Sequence, residues 1–144
     1  MMRSGLTALS VLALLAGCSD PKHEQRLRAA GPNPTLDALL KVADVGAGER
    51  RFGQCMACHT VVAGGPDMAG PNLHAIYGKP MGRNRPGYGY SAALRDAKGT
   101  WDAPTLDAWM QRPQKVVPGT AMMFSGVSDP LDRADIIAYL RTRR

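Results

Sequence analysis

The chain has 144 residues, 44% of them apolar and 21% charged, which leaves room for one compact domain and excludes a bundle of membrane spans. Two Phe, two Trp and four Tyr supply little aromatic bulk, so a core of this size would gain from a large buried apolar group. The net charge of +6 comes from scattered Lys and Arg, which argues against nucleic acid as the partner and suits an acidic protein or an anionic lipid surface.

Residues 1–17 read as a signal peptide: Arg3 supplies a positive start, residues 6–15 form an apolar run, and small residues follow. The run falls far short of the ~20 apolar residues that span a bilayer as a helix. Leu15-Ala16-Gly17-Cys18 resembles the bacterial lipobox, in which the thiol takes a diacylglycerol thioether and cleavage makes the cysteine the first residue of the mature chain. Cys18 is therefore the expected lipidation site and membrane anchor, an ordinary signal peptide beside a lone cysteine being the alternative. Two or three acyl chains hold firmly where one would be marginal, because each buried methylene adds ~0.8 kcal/mol.

Residues 18–40 carry Pro21, Gly31, Pro32 and Pro34 among mixed charges and few apolar residues. An acylated N-terminus followed by a flexible tether is expected there, with His23 a solvated linker residue. The folded domain is expected over 41–144.

From Gly48 the chain runs without proline into Cys55-Met56-Ala57-Cys58-His59, and a helix delivering the cysteines is expected. Thiols three residues apart share one face of a short helix. In an exported chain this pattern reads as haem attachment, the thiols adding to two vinyl groups and the adjacent imidazole meeting the iron. Cys55 and Cys58 are then the thioether residues and His59 the proximal iron ligand. The alternatives are a redox-active dithiol, which lacks a surrounding βαβ pattern, and a zinc site completed by His74, which lacks a second pair of ligands at suitable spacing.

Glycine is frequent between Gly64 and Gly89 and no strand alternation appears, so irregular loops are expected there. Residues 91–98 and 103–112 read as short helices, the second with Pro104 in its first turn and Leu106, Trp109 and Met110 on one face. Pro113 and Pro118 predict an extended loop. A last helix starts near Asp132, Arg133 and Asp135, which read as a solvated charged face.

From Gly48 to the C-terminus, about two thirds of the chain, the sequence resembles the class I cytochromes c. After Cys-x-x-Cys-His-Thr come, in the family's order, Gly70-Pro71-Asn72-Leu73-His74, Tyr77-Gly78, Pro86-Gly87-Tyr88-Gly89-Tyr90-Ser91, Trp101, Pro118-Gly119-Thr120-Ala121-Met122-Met123-Phe124, and Arg133 to Leu140. The resemblance implies an all-α cytochrome c fold, short helices and loops wrapped around one covalently bound haem c. It implies Met122 as the second metal ligand, a soft thioether that favours ferrous iron. Without the motif, Met122 and Met123 are equal candidates among eight methionines.

The same resemblance implies further cofactor-binding residues. The Pro71 carbonyl would accept a hydrogen bond from the His59 imidazole, and Tyr90 and Trp101 would hydrogen-bond a buried haem propionate. Gly48 and Phe52 would meet Ile136 and Tyr139 where the terminal helices cross. Lys79 stands where the family usually has an arginine near a propionate, so a fork of donors becomes a point charge. Trp109 and Leu94 take places often held by tyrosine and asparagine, which predicts fewer polar groups beside the Met sulfur. Arg83-Asn84-Arg85 carries one extra residue before Pro86, expected to stay within its loop.

With His59 and Met122 both bound, the iron has no open position, so the expected function is electron carriage without catalysis. The resemblance implies a quinol-oxidising complex as donor and a terminal oxidase or another reductase as acceptor. Lys115 and Arg112 are the candidate docking charges. A monomer is expected, lipid-anchored at the periplasmic face of the cell membrane. The alternatives are a haem peroxidase or gas sensor in which Met122 dissociates, and a cytochrome subunit of a larger respiratory complex.

Overall fold

Six of the helices among the described residues begin where a short polar side chain accepts a hydrogen bond from a free backbone N–H of the first turn. In the computed structural model, which describes residues 20–144, Asp20 caps α1 (Pro21–Ala30), Thr35 caps α2 (Leu36–Val42) and Asp44 caps α3 (Val45–Phe52). Ser91 caps α4 (Ala92–Asp96), Asp102 caps α5 (Ala103–Gln111) and Asp129 caps α7 (Pro130–Thr142). The leader and Cys18, with the cleavage and lipidation expected of them, lie outside the described residues. No strand forms among the described residues; one isolated antiparallel bridge joins Pro80 to Thr100. No helix among them is long and apolar enough to cross a membrane.

Pro113 departs from expectation. It opens a single helical turn, α6 (Pro113–Val116), because proline at a first helical position gives up only an N–H that would have no partner anyway.

The architecture centres on α7, which crosses α3 at Gly48. A Cβ on that glycine would stand 2.5 Å from the Asp135 carbonyl carbon and 2.9 Å from Tyr139 Cβ, so the backbones touch where any side chain would hold them apart. Phe52 and Tyr139 pack 5.4 Å apart beside the crossing, and Ile136, Ile137 and Leu140 complete the buried face.

Two expectations fail on the other side of α7. Arg133 and Asp135 are buried, not solvated, because α7 is covered on several sides. The Arg133 guanidinium donates to Asp107 Oδ1 at 2.7 Å and to the carbonyls of Val127 and Ser128. Asp135 accepts both arms of Arg26, at 2.5 and 2.8 Å, and the Asp44 N–H at 2.8 Å.

Residues 21–42 are correspondingly no flexible tether in the described structure. They form α1 and α2, with Leu27, Ala30, Leu40 and Val42 packed around buried Leu39, Leu131 and Ala134. Composition missed this because the apolar residues, though few, share one face and land on an apolar partner. His23, expected to be solvated, is mostly buried, with Nε2 3.1 Å from Asp129 Oδ2.

Removing one partner from a buried ion pair leaves an uncompensated charge. Arg26→Ala should therefore cost about 3 kcal/mol, the lower end of the range for such pairs because a lifted α1 lets water reach Asp135. Adding Asp135→Asn should recover part of that loss; guanidinium unfolding of the haem-loaded chain measures both.

Candidate functional site

Helix α3 hands the chain to a 3₁₀ turn over Gly53–Cys55, which ends on the first cysteine, and Cys58 follows in a continued winding. The N–H groups of Cys58 and His59 both donate to the Cys55 carbonyl, at 3.1 and 3.0 Å. Cys55 is partly buried, and that burial, with Cys58 beside it as the lesser cause, pushes its thiol up to about 11. Cys58 is exposed.

His59 is oriented by the segment from Gly70 to Leu73. Gly70 N–H donates to the Cys58 carbonyl at 2.8 Å, and Leu73 N–H to the Thr60 carbonyl at 2.8 Å, which lays this segment along the motif. A Cβ on Gly70 would stand 2.6 Å from His59 Nδ1, so only glycine lets the imidazole lie this close. His59 Nδ1 is 2.7 Å from the Pro71 carbonyl, which can only accept; Nδ1 therefore carries the proton and Nε2 keeps its lone pair for a metal. Burial lowers the His59 basicity and the Pro71 hydrogen bond works against that shift.

Asn72, a role unread in the sequence, locks the segment. It is 1% exposed, donates to the carbonyls of Val62 and Gly65, and accepts from the His74 N–H at 2.6 Å. The signal was available, since an asparagine amid glycine-rich turns commonly bonds nearby backbone.

The methionine loop is laced in the same way. Gln114 Nε2 donates to the Thr120 carbonyl at 2.7 Å, Met122 N–H donates to Thr120 Oγ1 at 3.3 Å, and Val127 N–H donates to the Met110 carbonyl at 2.8 Å. Met122 is half-buried against the main core, while Met123 is 88% exposed. Trp109 Nε1 stands 3.1 Å from Met122 Sδ and donates to it. The expected loss of polar groups beside this sulfur is therefore half right: Leu94 is buried core, but the indole supplies a donor of its own.

Trp101 is buried, edge-on to Trp109 with ring centroids 5.0 Å apart. Tyr90 is buried too, its hydroxyl donating to Asn84 Oδ1 at 2.8 Å, and burial pushes its ionisation up to about 12. Lys79 is exposed, and its carbonyl accepts from the Trp101 N–H at 2.8 Å.

These residues fit a covalent haem. The Cys55 thiol and the Met122 thioether pack against the apolar core, His59 keeps a free ring nitrogen, Cys58 offers a second thiol, and the buried Asn84 Nδ2 has no partner among the described residues.

No protein-family model matches the chain. A cytochrome c homolog of Bradyrhizobium diazoefficiens is 40% identical over 114 residues, covering 79% of the chain and 62% of that relative, so the chain spans less than two thirds of its length. Cytochrome c2 of Rhodomicrobium vannielii is 44% identical over 96 residues, 67% of the chain and 76% of that protein. Among solved structures, cytochrome cH from Methylobacterium extorquens aligns with a TM-score of 0.66 at 43% identity, over 69% of the chain and 99% of that protein. The chain belongs to the class I c-type cytochromes, all-α electron carriers, not enzymes, each with a covalently bound haem c and its iron.

The purified protein should show a Soret band whose chromophore resists extraction by acidified acetone. Replacing Cys55 and Cys58 together by Ser should release it to the solvent; a colourless parent protein would contradict the assignment.

Proposed function

We propose that the chain is a membrane-tethered carrier whose haem iron is held by His59 and Met122, moving electrons between respiratory complexes at the periplasmic face. The contrast between two neighbouring methionines carries the ligand assignment. Met122 is half-buried with its sulfur fixed by Trp109 at 3.1 Å, whereas Met123 turns out to water and is 88% exposed.

When bound, haem supplies one-electron exchange between ferric and ferrous iron. The protein's part is to set how easily that exchange runs. The Met122 thioether favours the ferrous form, and the Trp109 N–H, by drawing density from the sulfur, favours it further. The Pro71 carbonyl acts in the other direction by making the His59 imidazole a stronger donor. With both ligands in place no position is left for a substrate, which separates this reading from a peroxidase or a gas sensor.

Arg112 and Lys115 are exposed beside the methionine loop, where they suit weak, fast docking on an acidic partner. The donor is a quinol-oxidising complex and the acceptor a terminal oxidase or another reductase. The protein acts as a monomer anchored by lipid on Cys18. Because Asp20 already caps the docked α1, the anchor holds the domain close to the bilayer with little slack.

Met122→Ala should abolish the weak far-red iron–sulfur absorption and open the reduced protein to carbon monoxide, while Met123→Ala should leave both unchanged. The reverse pattern would make Met123 the ligand. Cys18→Ser should move the protein from the membrane pellet to the soluble periplasmic fraction; a variant that still pellets would end the lipid-anchor reading.

A further inference from the structure

The Arg83-Asn84-Arg85 segment does more than lengthen a loop. Asn84 is partly buried, and its two amide atoms fare differently. Oδ1 accepts from the Tyr90 hydroxyl at 2.8 Å, whereas Nδ2 is buried with no hydrogen-bond partner among the described residues. A buried N–H left unpaired is costly, so a fold that keeps one there implies an acceptor from outside the described residues.

The amide is not free to swing away from this position. Arg85 Nε donates to Asp67 Oδ1 at 2.9 Å, Arg83 reaches the Arg95 carbonyl at 3.4 Å, Tyr88 Oη donates to the Ala69 carbonyl at 2.7 Å, and the Arg95 guanidinium donates to the Tyr90 carbonyl. Two separate segments, residues 67–69 and Arg95, thus pin the loop. Reversing the amide would put a second acceptor where Nδ2 stands, an arrangement that an anionic neighbour would reject.

We propose that Asn84 is a haem-positioning residue whose side-chain N–H donates to the buried propionate beside Tyr90. The proposal rests on the placement of that propionate at Tyr90 and Trp101. It explains how the chain does without two donors: Lys79 replaces a guanidinium fork and is exposed, and Leu94 is apolar. A neutral amide supplied by this segment takes over part of that work. It does so without the cost of burying a second charge.

Two groups facing Asn84 are displaced from the range between about pH 5 and 9. Arg85 holds Asp67 below the usual carboxylate range, and burial holds Tyr90 at about 12. An inflection of midpoint potential with pH in that window therefore reports the propionate.

The test is spectroelectrochemical titration of the haem-loaded full chain as parent, Asn84→Ala, Tyr90→Phe and the double variant. A carboxylate that loses a donor holds its proton more tightly. Asn84→Ala should therefore move the inflection to higher pH by about one unit, a tenfold change in proton affinity, and the shift should persist in the Tyr90→Phe background. A parent-like Asn84→Ala profile alongside a shifted Tyr90→Phe profile would overturn the Asn84 assignment alone. A shift that vanishes in the Tyr90→Phe background would also overturn it, reducing Asn84 to a support for the tyrosine. A midpoint potential that shows no inflection in this window in any of the four proteins would instead remove the propionate from this corner and the proposal with it. If Asn84→Ala fails to load haem, Asn84→Leu keeps the bulk and carries the same comparison.

Discussion

Two helices can approach only as closely as the side chains between them allow, and in this protein that distance is set by Gly48 lying against the backbone of Asp135. The crossing buries Phe52, Ile136 and Tyr139 together and fixes the direction in which α3 releases the chain. Three residues beyond Phe52 comes Cys55, so an error in the crossing would be carried directly into the attachment site. The same contact point serves the far side of α7, because the Asp135 side chain gathers Arg26 and the Asp44 N–H. One position thereby ties the N-terminal helices, the helix that precedes the cysteines and the terminal helix into one body.

Around this frame the chain has little regular structure with which to hold the cofactor. Irregular backbone must still find partners for its polar groups when buried, and here single side chains do the work. Asn72 closes the loops on the His59 side, Gln114 and Thr120 close the methionine loop, and Arg133 ties α7 to the carbonyls of Val127 and Ser128. Gly70 and Gly126 serve the same end by absence: one leaves room for an imidazole, the other for the Gln111 carbonyl. The loops are thus held by specific contacts, which is what a cofactor with fixed ligand positions requires.

Carriage and attachment make opposite demands on exposure. The ligand atoms gain from burial, which excludes competing water and lets weak donors act strongly, while exchange with partners needs a surface that can be reached. The neighbouring pairs Met122 and Met123, and Cys55 and Cys58, each put one member inward and one outward. A single residue of backbone separates the core from the solvent-exposed surface in the methionine loop.

Much of this was legible in the chain alone, for reasons of chemistry. Two thiols and an imidazole at fixed spacing define a haem attachment, and helix caps and prolines set most of the element starts. The motif series from Gly48 onward placed the helix crossing and the Pro71 carbonyl beside His59, and it singled out Met122, which is half-buried, over Met123, which is exposed. What the tertiary structure alone decided concerns residues whose meaning depends on a partner distant in sequence. The charges of Arg133 and Asp135 read as solvated until α7 was found covered on several sides, and a few leucines in a proline-rich stretch read as a tether until they met Leu131 and Ala134. The donor from Trp109 to the Met122 sulfur and the unpaired amide of Asn84 depend on side-chain direction, which spacing in a sequence does not specify. Local chemistry is written in local sequence, whereas burial is a property of the assembled chain.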